Sequence, residues 1–192
     1  MALNDNAVLL PAQGAVLVGT VGTAVRPTYA QLQTFAANQV SGVPAGWTHL
    51  GHTSVDDLPA FGQDGGDSST QGSWQAASLR TQTDPATDYV DVNCIQLDNN
   101  VMELFYGGGT YTTANLFNLP DTQGTLYRAL TIVYFDGSAV WGFHAYRTSV
   151  VRADAPTFAS DGFAMFPLRF TILQSAGQPR GSWIGPGLGL SS

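Results

Sequence analysis

Of the 192 residues, 44% are hydrophobic and only 11% are charged, and the 14 acidic residues against seven arginines, with no lysine at all, leave a net charge of −7. The length supports one good core, and the single cysteine, Cys94, admits neither an internal disulfide nor a cysteine metal cluster, which makes a reducing compartment the expected home. The composition excludes P-loop, Schiff-base and general-base lysine chemistry and has the wrong sign for gripping nucleic acid, while so low a charge density suggests a surface covered largely by other copies or partners.

Residues 1–45 hold the apolar stretch "AVLLPAQGAVLVGTVGTAV", which Pro11 and its glycines break into extended segments. Its first basic residue is Arg26, so no charged leader region is expected, and no run approaches the ~18 apolar residues of a membrane helix. "PTYAQLQTFAANQV" predicts a short helix from Tyr29 to Asn38 with Thr28 as N-cap, because Leu32, Phe35 and Ala36 recur at helical spacing. "GWTHLGHTS", residues 46–54, reads as a strand, and the Pro, Gly and Asp content of residues 55–72 marks a long exposed loop. "SWQAASLRT" resumes an extended pattern.

In "YVDVNCIQL" the apolar Val90, Val92 and Cys94 alternate with Asp91 and Asn93, as a strand with one buried face requires. "LDNNVMELFYGGG" then predicts a helix over 98–106: Asn100 as N-cap, Glu103 reaching back in a capping box, and Gly107 as a left-handed stop. Val101, Leu104 and Phe105 share one face of it, so it is expected to lie as a lid on a sheet. Asp136-Gly137 predicts a tight hairpin turn between two long strands. "FPLRFTIL" puts Phe166, Leu168, Phe170 and Ile172 on one face, with Pro167 pointing to a sheet edge. Beyond Gln174 the Gly, Pro and Ser content of "SAGQPRGSWIGPGLGLSS" reads as an arm with Trp183, Ile184 and Leu188 as isolated anchors.

Several residue combinations invite chemical readings that their spacing does not sustain. His49 and His52 lie on opposite faces of a strand, and no further ligand in the sequence nearby completes a metal shell. Asp56, Asp57, Asp64 and Asp67 in a Gly-rich stretch lack the EF-hand spacing, which favours a solvated or partner-bound loop over an ion site. His144, Ser149, Asp154 and Asp161 are hydrolase residue types without a G-x-S-x-G elbow. Trp141, Phe143 and Tyr146 on an alternating strand read as packing, and Gly107 to Gly109 end a helix, where no phosphate cradle forms. No catalytic residue, cofactor or metal is expected.

Four segments, "GWTHLGHTSVDD", "LDNNVMELFYGG", "RALTIVYFDG" and "FAMFPLRFTIL", in this order over roughly residues 14–175, resemble the major tail (tail tube) proteins of long-tailed bacteriophages, particularly siphophages of high-GC actinobacterial hosts. The absence of lysine agrees with a high-GC coding bias. The resemblance implies a mainly β protein, a β-sandwich or half-barrel with one packed α-helix and extended N- and C-terminal arms. It divides the chain into an arm with the first strand or strands at 1–45, a core at 46–175 and a second arm at 176–192. It implies a virion protein assembled in the host cytoplasm into stacked, hexameric rings, a channel for the tape-measure protein and then the genome. Tail terminator and distal tail proteins would be its other partners, and neither a membrane nor tightly held DNA would be.

Within that frame Asp88, Asp91 and Asn93 are expected to face the lumen. The loop bearing Asp56, Asp57, Phe61, Asp64 and Asp67 is expected to engage the next ring, and Leu9, Val16, Trp183, Ile184 and Leu188 to anchor the arms. The competing reading is a carbohydrate-binding β-sandwich module presenting Trp47, Trp74 or Trp141.

Overall fold

The computed structural model of the protein describes residues 8–137 and 139–188. Strands β1 (Gln13–Gly19), β2 (Trp47–His49), β3 (Ala60–Gly65), β6 (Ala86–Cys94), β9 (Leu126–Asp136), β10 (Ala139–Arg152), β11 (Phe166–Ile172) and β12 (Gly181–Ile184) form one sheet. Two further pairs, β4 (Ser68–Ser73) with β5 (Ala76–Thr83) and β7 (Thr110–Thr113) with β8 (Leu116–Asn118), stand apart from it. The main sheet runs β2-β1-β9-β10-β11-β6-β3, and β12 pairs the first half of β10 where β11 pairs the second. Every ladder is antiparallel.

The sheet curls over its inner face without closing into a barrel. An isolated bridge joins Thr53 to Cys94, and the Ser54 amide donates to the Asn93 carbonyl at 2.9 Å, so the chain beyond β2 meets the far end of β6. Inside the curl, Val16, Val18 and Ile132 meet Val90 and Val92 of β6, Phe166, Leu168 and Phe170 of β11, and the inner side of β10 in one core. The helix α2 (Asn99–Tyr106) seals it through Val101, Leu104 and Phe105. On the outer face Leu17, Val133, Phe135 and Val140 form a second core under α1 (Tyr29–Ala37), with Leu32, Phe35 and Trp47.

The mainly β, sandwich-like architecture agrees with the expectation, but among the described residues two helices pack on the sheet where the resemblance implies one. α1 begins as its sequence predicts, with Thr28 and Gln31 in a reciprocal capping box. α2 begins differently. Asp98, not Asn100, is its N-cap and accepts from the Val101 amide at 3.0 Å, which leaves Glu103 free to bind Arg128 at 3.0 Å. Gly107 ends the helix in the left-handed region at φ 68°, as expected.

Four other expectations are corrected. Residues 55–72 are not one loop, since β3 and most of β4 lie within them. Val16, expected to anchor an arm, is a core residue: β1, the first strand expected within 1–45, lies between β2 and β9 with Val16 only 1% exposed, and α1 covers the outer face. The hairpin turn begins at Gly137, φ 58°, because Asp136 pairs with Ala139 as the last residue of β9. β11 is an interior strand despite Pro167. The Pro167 carbonyl accepts from Ala153 at 2.9 Å, so its nitrogen faces that side too, just past Arg152 at the end of β10, and the missing N–H removes only the return bond of this last rung.

Candidate assembly interface

β3 and β6 pair from Ala60↔Asp91 to Gly65↔Ala86, and β4 with β5 continues the same two-stranded ribbon beyond a bend. Gly65 and Gly66 make the bend at φ 78° and 81°, a region that side chains strain to enter, and Pro85 lies opposite. Across it the Asp84 amide donates to the Asp67 carbonyl at 2.9 Å. Every residue of β4 and all of β5 except Ala76 are exposed, and Trp74 at the tip is 96% exposed. Such a ribbon has no core of its own, and a two-stranded hairpin is marginal in water without a partner.

Its root is held firmly. Arg169 on β11 binds both Asp91 oxygens at 2.8 Å, reaches Asp64 on β3 at 3.4 Å and lies 3.8 Å from the centre of the Tyr89 ring. The Asp91 hydrogen bond is the main cause that raises Arg169 above the usual guanidinium range. Gly62 leaves room for the Tyr89 ring, since a Cβ there would collide with it.

The opposite end of β6 leads into α2 and the β7–β8 hairpin, which enclose a cleft of about 610 Å³. Leu97, Met102, Tyr111, Leu116 and Phe117 line it together with Asp98. Leu97, Tyr111 and Leu116 are each exposed, and the Tyr111 hydroxyl donates to the Asn99 carbonyl. Nine residues of β6, about 30 Å of strand, separate ribbon and cleft.

The residues singled out in the sequence are dispersed across these parts. Asp91 and Asn93 share one face of β6, but Asp88 has the parity of Val90 on the other face, where it binds Arg180 at 3.1 Å. Asp56 and Asp57 are exposed ahead of β3, and Asp67 lies at the bend. Phe61 is a β3 residue set against Phe143 at 4.8 Å and Trp183 at 5.4 Å. Trp183 and Ile184 belong to β12, so this part of the expected arm is docked on its own subunit. Leu9 packs on the inner core, and Leu188 is exposed. Residues 1–7 and 189–192 of the expected arms lie outside the described residues.

The tryptophans form no shared platform: Trp47 is buried with its Nε1 donating to the Val25 carbonyl, while Trp74 and Trp141 lie on separate elements. Among the described residues no group of His, Cys, Asp or Glu is arranged to hold a metal ion, and no helix is long and apolar enough to cross a membrane.

His144, offered by the sequence as a triad member, is fully buried, with Nδ1 3.0 Å from the Thr131 hydroxyl and Nε2 unpartnered. Burial, assisted by the Arg26 charge and opposed by a backbone hydrogen bond at Leu130, pushes it down to about 4. An unfolded chain takes up this proton near its ordinary value of 6.5, so stability present above pH 6.5 is lost as pH falls toward 4. The expected loss by pH 4 is on the order of 3 kcal/mol, read by urea denaturation at pH 7.5 and 4. A His144→Gln variant that retains the full acid loss would assign it to other groups.

The family model for phage tail tube proteins matches residues 1–190. The chain is 42% identical over 196 aligned positions to the major tail protein Gp23 of Mycobacterium phage D29, covering all of this chain and 98% of the relative. It is 41% identical over 188 positions to the major tail protein Gp23 of Mycobacterium phage L5, covering 96% and 93% of the two chains. Both relatives come from phages of actinobacterial hosts, in agreement with the resemblance read from the sequence. By a match spanning nearly its whole length, the chain belongs to the phage tail tube protein family.

Proposed function

We propose that this structural tail protein self-assembles into stacked rings, six subunits to a ring, whose channel houses the tape-measure protein and later conducts the genome. The observation that carries the stacking is the exposed ribbon at one end of β6 and, at the other, a cleft of mixed polar and apolar lining. A contact between two different surfaces of one chain is heterologous, and it propagates as a filament where its rotation does not close. The number six rests on the family resemblance, as do assembly in the host cytoplasm and the tail terminator and distal tail protein as partners at the tube's ends.

The face of β6 bearing Asp91 and Asn93 is the proposed channel wall. Arg169 neutralises Asp91 there, so easy passage of DNA would rest on an arginine already occupied by carboxylates. A side-chain-resolution reconstruction of the tube would read that orientation directly.

The first test is electron microscopy of the purified protein across a concentration series, beside light-scattering mass. Rings or hollow tubes are expected; a strict monomer throughout would oppose the reading and make a glycan screen the next experiment.

A further inference from the structure

We infer that Trp74 is the anchor of the contact between successive copies, its indole occupying the cleft between α2 and the β7–β8 hairpin of a second copy. This rests on the self-assembly reading and goes beyond it by naming both halves of the contact. The indole is exposed at the tip of a ribbon that projects from one end of β6, and the cleft opens at the other end of that strand. Exposed Leu97, Tyr111 and Leu116 offer an apolar surface to an indole, and about 610 Å³ of space accommodates it.

Charge complements the fit. Residues 68–83 contain a single charged side chain, Arg80, and the cleft lining contains a single charged side chain, Asp98. Among the described residues Arg80 makes no ion pair, and Asp98, whose two oxygens accept from the Val101 amide and from Gln96 Nε2, has neutral partners only and no cation of its own subunit. Arg80 lies opposite Gln71, about 10 Å back along the ribbon from the tip, so tryptophan and arginine, two side chains enriched among the residues that dominate contact energies, are offered on one projection.

The test is a cysteine pair. Cys94 is buried and its thiol is pushed up to about 12 by burial and by Asp98, so it does not compete with introduced cysteines. One preparation carries Gln75→Cys beside the tip, another Ala114→Cys in the cleft lining, and a control carries Gln178→Cys near the ribbon's own end of the sheet. Mixed under mild oxidation, the first two are expected to form a covalent dimer, and the first with the control none. In parallel, Trp74→Ser is expected to raise the concentration needed for assembly about 30-fold or more.

Tubes that form normally from Trp74→Ser, or cross-linking of Gln75→Cys to the control instead of the cleft, would overturn this contact while leaving the tube reading in place. No assembly and no cross-link at any concentration would overturn both.

Discussion

Excision of residues 68–83, with Asp67 joined to Asp84 through an Asn-Gly turn, is expected to leave a folded subunit that no longer assembles. The ends to be joined are already in register, because the Asp84 amide donates to the Asp67 carbonyl at 2.9 Å. The excised residues contribute nothing to either core, so the thermal midpoint is expected to move by no more than about 4 °C, the effect of roughly 1 kcal/mol. What is lost is the whole projecting surface. Sedimentation should find a monomer where the parent forms large species; normal tubes would show that the ribbon is dispensable for stacking.

Truncating Phe105 to Ala is expected to have the largest effect on the fold itself. Its ring is 1% exposed and lies edge-on to Phe166 at 4.9 Å and to Tyr106 at 5.1 Å, which fastens α2 over the open side of the curled sheet. Losing a buried phenylalanine costs about 3–5 kcal/mol, through lost transfer free energy and the cavity left behind. For a chain of 192 residues that lowers the thermal midpoint by roughly 6–20 °C, measurable by calorimetry. Assembly should weaken with it, since α2 is one wall of the cleft. A loss below about 1 kcal/mol would mean that the helix is a loosely attached cover.

The parts of this fold that sequence patterning reveals are those with one wet and one dry face. β6 and β11 show their alternation plainly, and α1 and α2 show capping residues and a helical stripe. The ribbon is half legible for a physical reason: "SWQAASLRT" reads as extended and becomes most of β5, but both faces of β4 and β5 meet solvent, so "SSTQGS" carries no apolar period to detect and nothing signals the pairing. β10 is partly obscured by a bulge between Ala145 and Thr148, which reverses the parity of its inward residues from Phe143 to Val150. Pro167 misleads because its tolerance depends on where the neighbouring strand stops, which no local pattern encodes. The arms are over-read for the same reason: whether an isolated Trp183 docks at home or abroad depends on Phe61 and Phe143, remote in sequence.

The bend at Gly65 and Gly66 has a mechanical consequence. Below it the ribbon is clamped by Arg169, and above it the two strands are paired, so compliance is concentrated at one joint. In a column built through such joints, curvature divides into many small rotations, and each contact surface travels as a rigid piece. On the proposed stacking such a column would be elastic along its length while its seams stay sealed, and the persistence length measured from micrographs would be a property of two glycines per subunit.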